Sequence, residues 1–413
     1  MIRTRCCVAG GGPAGMMLGL LLARAGVDVV VLEKHADFLR DFRGDTIHPS
    51  TLDVLAELGL LERFLDLPHQ EVAELQAVSG ERTVTFADFR HLPTRWGFIA
   101  FLPQWDFLAF LAGEARRSPA FMLRMATEAT GLVTEAGRVV GVRARGPDGD
   151  LEARADLVVA CDGRNSGLRR EAGLPVREIG APIDVLWFRL SRTPDDPEAT
   201  MGRFDVGRLV VLINRGGHWQ VGYVVPKDGA GALRDRGLPA FRADITAIVP
   251  FLADRVAELE SWDDVPLLSV RVNRLTRWWA PGLLCLGDAA HAMSPVGGVG
   301  INLAIADAVA AANVLAGPLR SGRPGNADLA RVQRRRNLPT MVTQGLQVLV
   351  QNRVLSPLLQ GRVENTTPAG LRLLDRVPAL RRVPGRVVGL GVRPEHVAPG
   401  LRGDVAEGNS KTQ

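Results

Sequence analysis

The chain has 413 residues, 46% of them apolar and 23% charged, which excludes a disordered or fibrous polymer and leaves room for two domains with sizeable cores. Its formal net charge of +5 comes almost wholly from arginines scattered among acids (the only lysines are Lys34, Lys227 and Lys411), which argues against a nucleic-acid-binding stripe. The opening residues enter a strand with no apolar signal region, and the densest apolar stretch, 16–32, is broken by Arg24 and Asp28, so no transmembrane segment is expected and the reading is a cytoplasmic protein.

The first elements predict strand, helix, strand. Residues 6–9 form a short apolar run, 13–25 a helix of small and apolar residues stopped by Gly26, and 27–32 a β-branched strand, together a βαβ unit of about thirty residues. Residues 50–58 read as a helix capped by Ser50 and ended by Gly59, and 105–115 as another that Gln104 opens. From 121 to 160 short strands alternate with turns such as Pro147-Asp148-Gly149. Residues 185–225 alternate like antiparallel strands, with Trp187, Phe188, Trp219 and Tyr223 as large apolar members. A buried strand at 283–286 precedes a glycine-rich loop and a long helix over 301–315. Beyond Asp328 the pattern is helical, with Arg334-Arg335-Arg336 read as a solvated face and a proline-punctuated basic stretch over 372–393 that is expected to pack on the main body. Cys6, Cys7, Cys161 and Cys285 lie in apolar runs without metal-ligand spacing, which fits buried thiols in a reducing compartment and no metal.

Gly10-Gly11-Gly12-Pro13-Ala14-Gly15 satisfies G-x-G-x-x-G between the first strand and the first helix. Gly10 permits the tight turn, Gly12 lets backbone approach a diphosphate, and Gly15 lets helix pack on strand, while the helix start offers free N–H groups to phosphate. Glu33, followed by Lys34, ends the second strand eighteen residues after Gly15, where a carboxylate can meet a ribose hydroxyl. This unit fits FAD or NAD.

Two later segments discriminate. Leu157 to Ser166, containing Asp162-Gly163 and followed by Arg169, resembles the Asp-Gly motif of flavoprotein aromatic hydroxylases. Gly282 to His291, containing Gly287-Asp288 and continuing through Pro295, Gly297, Gly298, Gly300 and Asn302, resembles their Gly-Asp motif. Over roughly residues 5–340 the chain is similar to the single-component, group A FAD monooxygenases typified by para-hydroxybenzoate hydroxylase. The resemblance implies an α/β (α+β) fold: a discontinuous Rossmann-like FAD-binding domain, an inserted antiparallel-sheet substrate domain and a C-terminal helical region. The corresponding boundaries are 1–70, 101–180 and 276–345 for FAD, 71–100 and 181–275 for substrate, 346–403 for the helical region and 404–413 for a disordered tail.

The resemblance further implies cofactor contacts at Gly10, Gly12, Pro13, Ala14, Gly15, Glu33, Lys34, Arg43, Gln104, Asp162, Arg169, Gly287, Asp288, Pro295, Gly298, Gly300, Ile301 and Asn302. Asp288 would accept from the ribityl chain, and the helix starting near Ile301 would aim its positive end at the flavin's N1–C2=O edge. Pro295 would lie beside the ring. With NAD(P)H and O2 as co-substrates, such an enzyme oxygenates an aromatic small molecule through a flavin C4a-hydroperoxide. Arg43 and Pro295 are candidates near the reacting centre, and His48 or Tyr223 a candidate base for a phenol. Halogenases share the fold, but their Trp-x-Trp-x-Ile-Pro is absent, Trp96-Gly97-Phe98-Ile99 being the nearest segment. A reductase or desaturase without oxygen insertion fits the same cofactor motifs, as does a flavoprotein that sequesters an aromatic ligand. The oligomeric state is not encoded in any motif.

Overall fold

Strands covered by helices on both faces must be apolar on both, and the first two are. In the computed structural model, which describes residues 1–39, 45–79, 82–205, 207–361 and 369–402, β1 (Ile2–Ala9) buries Cys6 to Ala9 completely and β2 (Val29–Leu32) buries all four of its residues. They pair in parallel, Cys6 opposite Val29 and Ala9 opposite Leu32. The crossover is α1 (Pro13–Arg24), with Pro13 at its first turn and Gly26 beyond its end at φ +72°. Parallel strands Phe121–Arg124, β2, β1, the end of Gly149–Ala160 and Leu283–Cys285 lie side by side in that order, a doubly wound arrangement. An antiparallel meander, 128–160, grows from Gly149–Ala160. Phe121–Arg124 belongs to the parallel sheet, not to that meander.

The second large sheet has seven strands, drawn from 74–88 and 183–268. It is antiparallel except where Met201–Asp205 runs parallel to Glu74–Ser79. Period-two alternation divides its side chains. Phe188, Leu190, Val210, Leu212, Trp219, Val221 and Tyr223 pack beneath helix Leu238–Ile248, whereas Trp187, Val211 and Ile213 face Phe89, Ile99, Phe101, Val388 and Leu390.

A core helix, Gly300–Ser321, runs against α1 and is apolar over most of its length. It is the one helix among the described residues long and apolar enough to cross a membrane, but most of it is buried inside the fold. An outer helix, Asn326–Val350, packs on it and continues through the π-turn Gln351–Leu355, so the expected boundary at 345/346 falls within continuous helix. Two readings change. Pro49 is the first residue of helix Pro49–Glu57, and His48, not Ser50, occupies the cap. Arg336 is not solvated: it is 1% exposed and ion-paired, because the helix turns that position inward, while Arg334 stays outside. Arg43 and the tail 404–413 lie outside the described residues.

Candidate functional site

Three loops meet at the carboxyl ends of the parallel strands. The first is the glycine loop after β1. Gly10 has φ +109°, and a Cβ there would lie 2.3 Å from the Cys161 carbonyl oxygen, so the loop crosses the end of the neighbouring strand at backbone distance. A Cβ on Gly15 would lie 2.0 Å from the Gly10 oxygen. At Gly12 it would meet nothing within 4 Å. The first helical bond of α1 runs from Met16 N–H to Gly12 O at 2.9 Å, leaving the Ala14 and Gly15 N–H groups ahead of it beside that open space. Glu33 is buried just beyond β2, where its carboxylate accepts from Gly11 N–H (2.8 Å), His35 N–H (3.0 Å) and the His35 ring (Nδ1, 2.7 Å). Lys34 beside it is exposed.

The second loop follows Gly149–Ala160. Asp162 Oδ2 accepts from Leu168 N–H at 3.3 Å, and its Oδ1 is buried with no hydrogen-bond partner among the described residues. Arg169 donates to Ala289 O at 3.1 Å and to Arg164 O at 2.6 Å, joining this loop to the third. In the third loop Gly287 (φ +57°) sits against Ala14, and Asp288 is partly exposed with Arg164 Nη2 at 3.6 Å from its carboxylate.

That third loop ends at Pro295, half-buried, then Gly297 (φ +80°) and Gly298 (φ +64°), and enters the core helix. A Cβ on Gly300 would again meet nothing within 4 Å, and the first helical bond is Leu303 N–H to Val299 O at 3.0 Å. The N–H groups of Gly300, Ile301 and Asn302 precede it, facing an open N-terminus. Two helix starts with open glycines, the second on a loop that Arg169 ties to the Asp162 segment, fit the two ends of an extended flavin dinucleotide.

The structure revises several expected roles. The Asn302 side chain is spent on protein: Oδ1 accepts from His48 N–H and Thr51 Oγ1 (both 2.8 Å), and Nδ2 donates to Thr46 O (3.1 Å) and to Gly298 O (3.4 Å). It joins helix Pro49–Glu57 to the core helix, and only its backbone N–H faces the open N-terminus. His48 is fully buried, its Nδ1 2.7 Å from the Val388 carbonyl oxygen, and burial pushes its pKa down to about 4, which makes it a poor proton acceptor. Tyr223 lies on the helix-covered side of its sheet, stacked edge-on with Phe241, and burial pushes its phenol up to about 12. Parity places it away from Trp187, so it is not positioned as a base. Gln104 begins helix Gln104–Ala115, its N–H bonded to Asp45 Oδ1 at 3.1 Å. Asp45 also pairs with Arg215 from the seven-stranded sheet, linking the sheet to the loop below it.

Two buried sets escaped the sequence reading. Asp307, in the core helix, holds His291 Nε2 (2.5 Å), Gly287 N–H (3.2 Å) and Arg336 Nε (2.8 Å), and Arg336 reaches Glu395. Burial alone would raise the Asp307 carboxyl, but His291 and Arg336 outweigh it and hold it below its usual range. Its signal was a lone acid in the apolar helix. On the outer helix, Gln344 donates to Ala292 O (3.0 Å), Gln347 to Ser294 O (2.9 Å) and Val296 O (2.8 Å), and Gln351 to Ser294 Oγ (2.6 Å). Their spacing of three and four residues could have marked a face. These glutamines fix the backbone on both sides of Pro295.

This combination of a dinucleotide half-site, a second loop clamped by arginine and a glycine-led helix under a separate sheet defines an FAD-dependent monooxygenase of the aromatic hydroxylase type, which uses NAD(P)H and O2. The chain belongs to the FAD-binding-domain family, whose pattern it matches over residues 3–345. It is 36% identical over 387 residues to the 6-methylpretetramide 4-monooxygenase of Streptomyces rimosus, covering 93% of this chain and 92% of that one. Its fold resembles the anhydrotetracycline hydroxylase of Streptomyces rimosus (TM-score 0.74, 23% identity, 95% of this chain and 77% of that one). It also resembles the p-nitrophenol 4-monooxygenase of Pseudomonas putida (TM-score 0.77, 21% identity, 95% of this chain and all of that one).

Proposed function

We propose that this enzyme oxygenates a fused-ring phenol in the cytoplasm, with residues 71–100 and 181–275 holding the substrate over an FAD bound by 1–70, 101–180 and 276–345. The observation that carries the substrate reading is the inner face of the seven-stranded sheet. Trp187, Val211 and Ile213 there pack against Phe89, Phe101 and Leu390 as one apolar cluster, which would wall a ligand lying beside it. Within it the Trp187 indole N–H is buried with no acceptor among the described residues. A broad aromatic ligand with one oxygen in reach of that donor suits such a wall. The relative at 36% identity is named for acting on 6-methylpretetramide, which favours the same substrate class.

FAD would supply the redox chemistry here, with NAD(P)H as the electron source and O2 as the oxidant, one oxygen atom entering the substrate and the other leaving as water. The protein's own residues bind, orient and shield. The Ala14 and Gly15 N–H groups would receive the diphosphate at the start of α1, and Glu33, whose carboxylate accepts from Gly11 and His35, would also accept a ribose hydroxyl. Asp288 takes a ribityl hydroxyl. The Gly300, Ile301 and Asn302 N–H groups would hold the pyrimidine edge of the ring, where a helix dipole favours negative charge. Pro295 borders the ring, held there by the glutamines behind it. Trp187 orients the substrate oxygen, and the sheet excludes water from the reacting face. With neither His48 nor Tyr223 placed to act as a base, a phenol would give up its proton to solvent.

The test is oxygen uptake and nicotinamide oxidation with tetracyclic and single-ring phenols, with labelled O2 traced into the product. The reading predicts uptake stimulated by the tetracyclic compounds and label in their products. Stimulation by single-ring phenols alone would contradict the substrate class, and nicotinamide oxidation without label in any product would contradict oxygen insertion.

A further inference from the structure

The second half of the outer helix, residues 338–350, is built inside out. A surface helix ordinarily turns its apolar stripe to the core and its polar face to water. Here the buried face carries Thr340, Thr343, Gln344 and Gln347, their polar groups bonded to helix and loop carbonyls. The outward face carries Leu338, Met341, Val342, Leu346, Leu349 and Val350, each 37 to 60% exposed. At about 100° per residue these six positions fall on one stripe. Arg331 and Arg334 extend it at one end and Arg353 at the other, all exposed. Between Asp328 and Glu364 the sequence has no acidic residue. The helix cannot roll to hide the stripe, because the glutamine bonds to the segment 292–296 fix its rotation.

An exposed apolar strip of this length marks a contact surface, and its charge selects the occupant. A second copy of the chain would set arginine against arginine, parallel or antiparallel, with no acid on the stripe to offset them. An anionic lipid surface offers phosphates to all three. We propose that this stripe rests on an anionic membrane surface, with the six apolar side chains in the headgroup boundary and Arg331, Arg334 and Arg353 reaching the phosphates. The chain remains basic beyond the helix, with thirteen arginines and three acids over 329–402.

The FAD-loaded full chain is sedimented with vesicles of phosphatidylcholine alone and of phosphatidylcholine with phosphatidylglycerol. Three arginines at about 1 kcal/mol each correspond to a preference of on the order of a hundredfold for the anionic vesicles, reduced by added salt. The double variant Leu346→Gln/Leu349→Gln loses vesicle binding, and Arg334→Gln/Arg353→Gln narrows the preference for anionic vesicles, both with the flavin absorbance and turnover of the parent. No sedimentation with either vesicle, or equal sedimentation with both, overturns the proposal. So does a stable dimer by light scattering that Leu346→Gln/Leu349→Gln converts to monomer, because the stripe then belongs to a second copy.

Discussion

Replacing Arg336 with methionine keeps the side-chain bulk but removes the cation that joins two buried carboxylates. Arg336 and Asp307 are 1% and 0% exposed at their side chains, with Nε 2.8 Å from Oδ1, and Arg336 Nη1 is 3.4 Å from Glu395 Oε1. Glu395 keeps Arg335, with Nε at 2.8 and 3.0 Å from its two oxygens, so the loss falls on Asp307, left with His291 and the Gly287 N–H. Removing one member of a buried pair costs about 3–5 kcal/mol, and the surviving His291 contact puts this site near about 3. Guanidinium unfolding followed by circular dichroism reads the loss, and flavin fluorescence reads release of cofactor from the Gly287-Asp288 loop. Adding Asp307→Asn removes the stranded charge, so the double variant is expected to recover stability relative to Arg336→Met alone. Acid sensitivity gives a second reading. The Asp307 pKa is depressed in the fold, so its stabilisation is present above its ordinary value of 3.8 and is lost as pH falls below that. In Arg336→Met the carboxyl loses one of the two cations that hold it down, so this acid-dependent loss becomes smaller than in the parent. A destabilisation under about 1 kcal/mol, or a double variant no better than the sum of the singles, would refute the assigned coupling.

Gly12→Ala and Gly15→Ala should fail differently. The first has open space and folds at parental stability but binds FAD weakly by fluorescence titration, whereas the second drives its methyl to within 2.0 Å of the Gly10 oxygen and lowers the unfolding midpoint itself. His48→Gln should flatten the acid limb of stability. A neutral buried histidine with pKa about 4 contributes stability above 6.5 that is lost as pH falls from 6.5 toward 4, by about 3 kcal/mol, and turnover near neutral pH stays within about twofold of the parent. Tyr223→Phe should leave the pH profile of turnover in place, and a shifted profile would restore Tyr223 as a base. Asp288→Ala should purify pale and hold flavin weakly, and a fully yellow, fully active variant would reject its contact with the cofactor.

The nucleotide half of the fold was legible because its constraints are local. Gly15 and Glu33 are fixed within one βαβ unit, against the Gly10 carbonyl and the Gly11 N–H, and Gly10 by the adjoining strand end at Cys161; each stands where its spacing placed it. The Gly-Asp loop was legible for the same reason. What escaped depends on contacts between distant segments. Asn302 looked like a cofactor ligand until Thr46, His48 and Thr51, some 250 residues earlier, consumed its amide. Arg336 looked solvated because a run of three arginines carries no sign of which one turns toward Asp307. Tyr223 and Trp187 sit on strands of equal apolar character, and only their register in the sheet, Tyr223 opposite Leu186 and Trp187 opposite Gly222, assigns them to different faces. Beyond Asp328 the sequence showed only a helical pattern, because the direction of each face of the outer helix is set by glutamines bonding a loop elsewhere in the chain.

The most direct measurement is a crystal structure of the protein with FAD. It should show the diphosphate within hydrogen-bonding distance of the Ala14 and Gly15 N–H groups and the pyrimidine edge of the ring at Gly300 and Ile301, beneath Trp187. A flavin ring seated elsewhere, with the start of the core helix left to solvent, would contradict the account.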